Sequence, residues 1–168
     1  LKGIKMRIVP SALLKDVAAA IGMTSTPVSY SEIYSSLQSG IIDGEEINLV
    51  SITTQSHYEV LKYVSIVNFY AFTSAMTFNL NWFNSLSAED QVLIEECSAE
   101  AMEYAMAQTE QIAEDALQTC LDNNLEVNYI EGEQRQEFIN AVQPVYEEYM
   151  AKSENIKAYV EMAQALQG

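Results

Sequence analysis

The sequence predicts an α/β fold, and three observations predict it. Short apolar runs alternate with helical periods through the first fifty residues. Residues 87–122 then hold near-helical spacing without a sheet-like segment. Finally, 49% of the 168 residues are hydrophobic and 10% aromatic, enough for a buried core and too many for a disordered chain.

The elements follow in order. Residues 4–9 (Ile-Lys-Met-Arg-Ile-Val) are predicted as a strand. Pro10-Ser11 opens a helix with Ala12, Leu13, Val17, Ala20 and Ile21 on one side, and Gly22 stops it. Residues 26–30 are a second strand. Ser31-Glu32 caps a helix carrying Ile33, Tyr34 and Leu37, and Gly40 ends it. Residues 41–47 are a third strand, interrupted by Asp43-Gly44. Strand, helix, strand, helix, strand with short connections is the signature of a parallel sheet.

Residues 55–64 read as helix, or as helix turning into strand. Residues 65–80, rich in β-branched and aromatic side chains, read as one or two extended segments. Ser87 and the acids Glu89 and Asp90 start the long helix, which Asn123-Asn124 ends. At about 1.5 Å per residue it is roughly 52 Å long, more than a small core is wide. Its heptad pattern is poor, so it is expected to lean across more than one core. Residues 125–130 form another strand. Residues 134–150 are helical with a break or kink at Pro144, and Ile156, Tyr159, Val160, Ala163 and Leu166 line a terminal amphipathic helix.

Charge narrows the partners. Eight basic residues against 24 acidic ones leave a formal net charge of −16. From Asp16 to Glu133 the only cation is Lys62, so no face there can track a phosphate backbone, and nucleic acid is excluded as a partner. No apolar run approaches the roughly 20 residues of a membrane span. The opening Leu-Lys-Gly-Ile-Lys-Met-Arg has no initiator Met and no leader pattern. Leu1 is therefore not expected to be a biological start: a preceding segment was removed, or it lies outside this sequence.

Chemistry-bearing motifs are scarce. His57 is the one histidine, which excludes a histidine-rich metal centre and favours a surface or helix-packing role over catalysis. Cys97 and Cys120 lie in one helix, about 34 Å apart at 1.5 Å per residue, and both read as small core residues rather than a disulfide. Phosphate-cradling glycine motifs and nucleophile elbows are absent from the sequence. We expect no enzyme, no cofactor and no metal. Adjacent acid pairs read as solvated faces, although Glu45-Glu46, beside Gly44 at a strand end, is placed where a cation or amine could touch it. Arg7 sits inside an apolar strand of a chain with only two arginines. A guanidinium there suits a carboxylate ligand, because it offers two parallel charge-assisted bonds; pairing with one of the chain's own acids is the equal alternative.

Three stretches taken together resemble a family. They are Leu-Lys-Gly-Ile-Lys-Met-Arg at 1–7, Tyr-Ser-Glu-Ile-Tyr-Ser-Ser-Leu-Gln-Ser-Gly-Ile-Ile-Asp-Gly-Glu-Glu at 30–46, and Tyr-Glu-Val-Leu-Lys-Tyr at 58–63. In order and spacing they are similar to LKGLKIRV, FSEVYTALQTGVVDGQENP and FYEVQKYL of the solute-binding proteins of tripartite ATP-independent periplasmic (TRAP) transporters. Trp82 to Asp90 and Val145 to Tyr149 also match.

The resemblance implies a periplasmic-binding-protein-like lobe of the type II clamshell kind, with a lobe-spanning helix and the first lobe largely absent. It implies residues 1–80 as the α/β ligand-binding lobe, 81–124 as the long helix, and 125–168 as a strand and C-terminal helices packing back. Arg7 falls on the family's carboxylate-pairing arginine and Tyr30 on an aromatic that lines the cleft. Ile47 stands where the family has the asparagine that helps hold the carboxylate, with Asn48 one place later; this implies a different ligand, a one-residue shift or a decayed site. Phe69 and Phe72 are further candidate lining residues. The implied function is periplasmic capture of a small organic acid and its delivery to TRAP membrane subunits. The missing N-terminal lobe, or a second copy of the chain, is the implied structural partner. The alternative is a self-associating interaction module without a ligand, built on the apolar face a half-clamshell exposes.

Overall fold

The computed structural model describes residues 1–70 and 73–165. Two small parallel sheets organise it. In the first, β1 (Lys5–Arg7) is central, flanked by β2 (Thr24–Thr26) and β3 (Gly44–Glu45). Lys5, Met6 and Arg7 face Thr24, Ser25 and Thr26 on one side, and Met6 and Arg7 face Gly44 and Glu45 on the other. In the second sheet β4 (Tyr63–Ile66) pairs with β5 (Glu126–Tyr129), Tyr63 opposite Glu126 and Ile66 opposite Tyr129.

Helices connect the strands as parallel pairing requires. Helix α1 (Ala12–Ala20) joins β1 to β2, and Ser11 caps it by accepting from the Leu14 N–H. A 3₁₀ turn (Tyr30–Glu32) runs into α2 (Ile33–Gln38), where Ile33 is fully buried. Ser29, rather than Ser31, bonds the Glu32 carboxylate at this helix start. The second strand ends sooner than predicted because Pro27 has no N–H to give the ladder. The third shrinks to two residues, and after it α3 (Leu49–Thr54) appears where no helix is predicted. Asn48 caps α3, and Ser56, in the left-handed conformation at φ 55°, precedes a 3₁₀ turn at His57–Glu59; of the helix, or helix turning into strand, expected over 55–64, only this single turn and the start of β4 at Tyr63 form.

The main core gathers Ile52, Val64, Cys120 and Leu125, so it lies where α3, β4, β5 and the end of the long helix α5 (Ala88–Asp122) meet. A short α4 (Leu80–Asn84) precedes α5. Ser87 caps α5 in both directions, accepting from the Asp90 N–H at 3.1 Å and donating to its carboxylate at 2.7 Å. Asn124, at φ 64°, turns the chain back, and the Leu125 N–H donates to Cys120 O. Only Ala116 and Cys120 of α5 are buried; Cys97, expected in a core, is exposed.

Two C-terminal helices complete the chain, α6 (Gly132–Lys152) and α7 (Glu154–Ala165). Pro144 lies inside α6 without interrupting it, because it is exposed and water can serve the carbonyl it leaves unbonded. Helix α6 straps the molecule together: Arg135 donates to Val67 O at 2.8 Å, while Tyr149 donates to Asp16 on α1 at 2.8 Å. No helix is long and apolar enough to cross a membrane among the described residues.

Candidate functional site

Arg7 is the last residue of β1, at the carboxyl end of a parallel strand, where open α/β sheets place ligands. The backbone fixes β3 against it: Asp43 N–H donates to Lys5 O and Glu46 N–H to Arg7 O, both at 2.8 Å. Gly44 permits that approach, since a Cβ there would meet Met6 Sδ at 3.0 Å. Glu45 is thereby the register partner of Arg7, and register partners project to the same face of a sheet.

What gathers here is a buried charged cluster. Arg7 is 4% exposed, and its Nε donates to Val28 O at a long 3.4 Å. It makes no ion pair among the described residues. The Glu45 side chain is 2% exposed, and its Oε1 accepts from His57 Nδ1 at 2.7 Å. Glu46 Oε1 accepts from the Tyr70 hydroxyl at 2.8 Å. The second carboxylate oxygens of both, Glu45 Oε2 and Glu46 Oε2, are buried without a hydrogen-bond partner among the described residues.

The titrations follow from this geometry. Burial pushes the Glu45 carboxyl above its ordinary range, and the neighbouring His57 and Arg7 pull against that. Burial and the bond to Glu46 push the Tyr70 phenol up to about 12.

The other anticipated residues lie apart in role. Tyr30 opens the 3₁₀ turn and is 46% exposed. Ile47 packs on the main core, and Asn48 Oδ1 is occupied in capping α3, accepting from Ser51 N–H at 2.8 Å. Phe69 meets Phe138 of α6 edge-on at 5.8 Å. Phe72 lies outside the described residues. An open cavity of about 410 Å³ lies beside Pro10, Lys15 and Pro27, and none of the anticipated residues lines it. No cluster of His, Cys, Asp or Glu able to hold a metal occurs among the described residues.

The sequence favours a solvated face for Glu45 and Glu46 while leaving room for a cation or amine contact there, gives His57 a surface or helix-packing role, and does not single out Tyr70; the structure buries Glu45 and His57 against each other. One signal was present. In the resembling pattern position 45 is Gln and position 57 is Phe; both depart here, and the structure joins the two departures in one hydrogen bond.

Comparison with known proteins gives consistent results. Residues 1–153 match the family "Bacterial extracellular solute-binding protein, family 7". The ectoine-binding periplasmic protein TeaA of Halomonas elongata is 30% identical over 148 residues, covering 87% of this chain and 43% of its own length. The C4-dicarboxylate-binding periplasmic protein DctP of Rhodobacter capsulatus is 30% identical over 147 residues, covering 87% and 44%. The crystal structure of a TRAP periplasmic solute-binding protein from Roseobacter denitrificans, with bound β-D-glucuronate, superposes with a TM-score of 0.85 at 25% identity, covering 98% of this chain and 54% of that one. The chain spans about half the length of the curated relatives it matches.

Proposed function

The chain belongs to family 7 of the bacterial extracellular solute-binding proteins, the TRAP solute-binding proteins, and on that footing we propose that it captures a small organic acid by its carboxylate in the periplasm and delivers it to TRAP membrane subunits. It performs no reaction in this reading. The observation that carries it is Arg7: a guanidinium buried at a strand's carboxyl end, with no carboxylate of the described residues bonded to it. Burying a charge is costly unless it is paired, and a ligand carboxylate would supply that pair through two parallel bonds. Tyr30, Phe69 and Phe72 would shape the pocket, and the opposite wall would come from a first lobe.

The test is titration of the folded chain with D-glucuronate, followed by amide chemical shifts. Arg7→Ala is expected to weaken binding by about 100-fold or more with the circular dichroism unchanged, and Arg7→Lys to restore little, because lysine has no planar fork. Unchanged binding in the folded Ala variant would remove Arg7 as the anchor.

A second reading, self-association without a ligand, is favoured by one observation. Phe78, Leu80 and Trp82 stand exposed, with Phe78 stacked on Trp82 at 5.7 Å, beside the bare first half of α5.

A further inference from the structure

We infer that Glu45 and Glu46 form a donor-reading half of the Arg7 site, so that the site takes an acid bearing a hydroxyl or a protonated nitrogen beside its carboxylate and turns away a plain dicarboxylate. The inference rests on the carboxylate-capture reading above and names its ligand class.

It starts from an imbalance. One guanidinium shares this buried corner with two carboxylates, and neither carboxylate is ion-paired to it among the described residues. Each carboxylate has one oxygen satisfied, Glu45 by His57 at 2.7 Å and Glu46 by Tyr70 at 2.8 Å. Each keeps its other oxygen buried and unpartnered among the described residues. An acceptor left without a donor in the interior is destabilising, so these two oxygens favour any molecule that brings a donor to them.

A ligand carboxylate alone answers only half of this arrangement. It satisfies Arg7, but it adds a third negative charge to a site that already holds two carboxylates against one guanidinium. A plain dicarboxylate adds a fourth and still offers no donor. An acid with a hydroxyl or ammonium on the adjoining carbon gives its carboxylate to Arg7 and its donor to Glu45 or Glu46. The bond from His57 holds Glu45 in place for that role, which makes His57 a positioning residue.

Three acids with one four-carbon skeleton separate the possibilities: succinate, malate and aspartate carry hydrogen, hydroxyl and ammonium at the same carbon. The measurement is amide chemical-shift titration of the ¹⁵N-labelled 168-residue chain with each acid at pH 7.5, which reads Kd values into the millimolar range. Malate, aspartate or both are expected to bind at least about ten-fold more tightly than succinate, because a site built to bond a donor rejects the analogue lacking it. Preference for malate alone identifies a hydroxyl reader, and preference for aspartate alone a reader of protonated nitrogen. Glu45→Gln, with Glu46→Gln as the second variant should the first not fold, is expected to shrink that preference to about three-fold or less. Succinate binding as tightly as both others in the wild-type chain overturns the ligand class while leaving capture by Arg7 standing. No shift with any of the three or with D-glucuronate overturns the capture reading and this inference with it.

Discussion

Glu45 shows how burial turns an ordinary surface residue type into a device. Its carboxyl is raised above 4.5 by desolvation, so the native chain holds that proton more tightly than the unfolded chain does. The sign follows directly. The contribution of Glu45 to stability is intact below its ordinary titration range and is lost as pH rises through the elevated native value. Urea unfolding followed upward from pH 4.5 should therefore show a stability loss with rising pH in the wild type that is smaller in Glu45→Gln. His57→Ala removes the partner and leaves a buried carboxylate, at a cost of about 3 kcal/mol or more. The double variant Glu45→Gln, His57→Phe, which installs the residues of the resembling pattern, should recover most of that loss. A double-mutant cycle with no coupling between the two positions would mean that the 2.7 Å bond contributes nothing to stability.

Among the elements, α5 has two unlike halves. Its C-terminal turns supply Ala116 and Cys120 to the core, while Val92, Leu93, Tyr104 and Met106 earlier in the helix are exposed. Cys97 and Cys120 report on the two halves separately. A thiol reagent should label Cys97 at once and Cys120 only on unfolding, since burial both shields the Cys120 thiol and pushes its titration up. Equal labelling of both in the native chain would show that the end of α5 is not packed as described. Start and stop signals made α5 legible in the sequence, because Ser87 and Asn124 act within a few residues of themselves. Helix α3 is not legible in the sequence: six residues give too short a period to see, and nothing around Asn48 marks it as the cap that the structure shows it to be. Likewise Pro144 reads as a break, and only its exposed position within α6 lets the helix continue.

For the whole molecule, acidity and exposed apolar surface oppose each other. A net charge of −16 repels a second copy, whereas the aromatic face at Phe78, Leu80 and Trp82 attracts one. Sedimentation should show monomer at low ionic strength and a rising mean mass at about 0.5 M salt, where charge is screened within a few ångströms. A mass independent of salt and concentration would count against the self-association reading. The sequence by itself determined the alternation of strand and helix, the ends of α5 and the family. All of these reside in local periodicity or in ordered motifs. It also placed Arg7 on a strand and singled out Glu45-Glu46 at a strand end. Only the tertiary structure decided that Glu45 is buried, that His57, twelve residues on, is its partner, and that Ile47 belongs to the core. The physical reason is that burial and pairing depend on which strands lie side by side: the β1–β3 register sets Glu45 opposite Arg7, and no property of residue 45 or its sequence neighbours encodes that pairing.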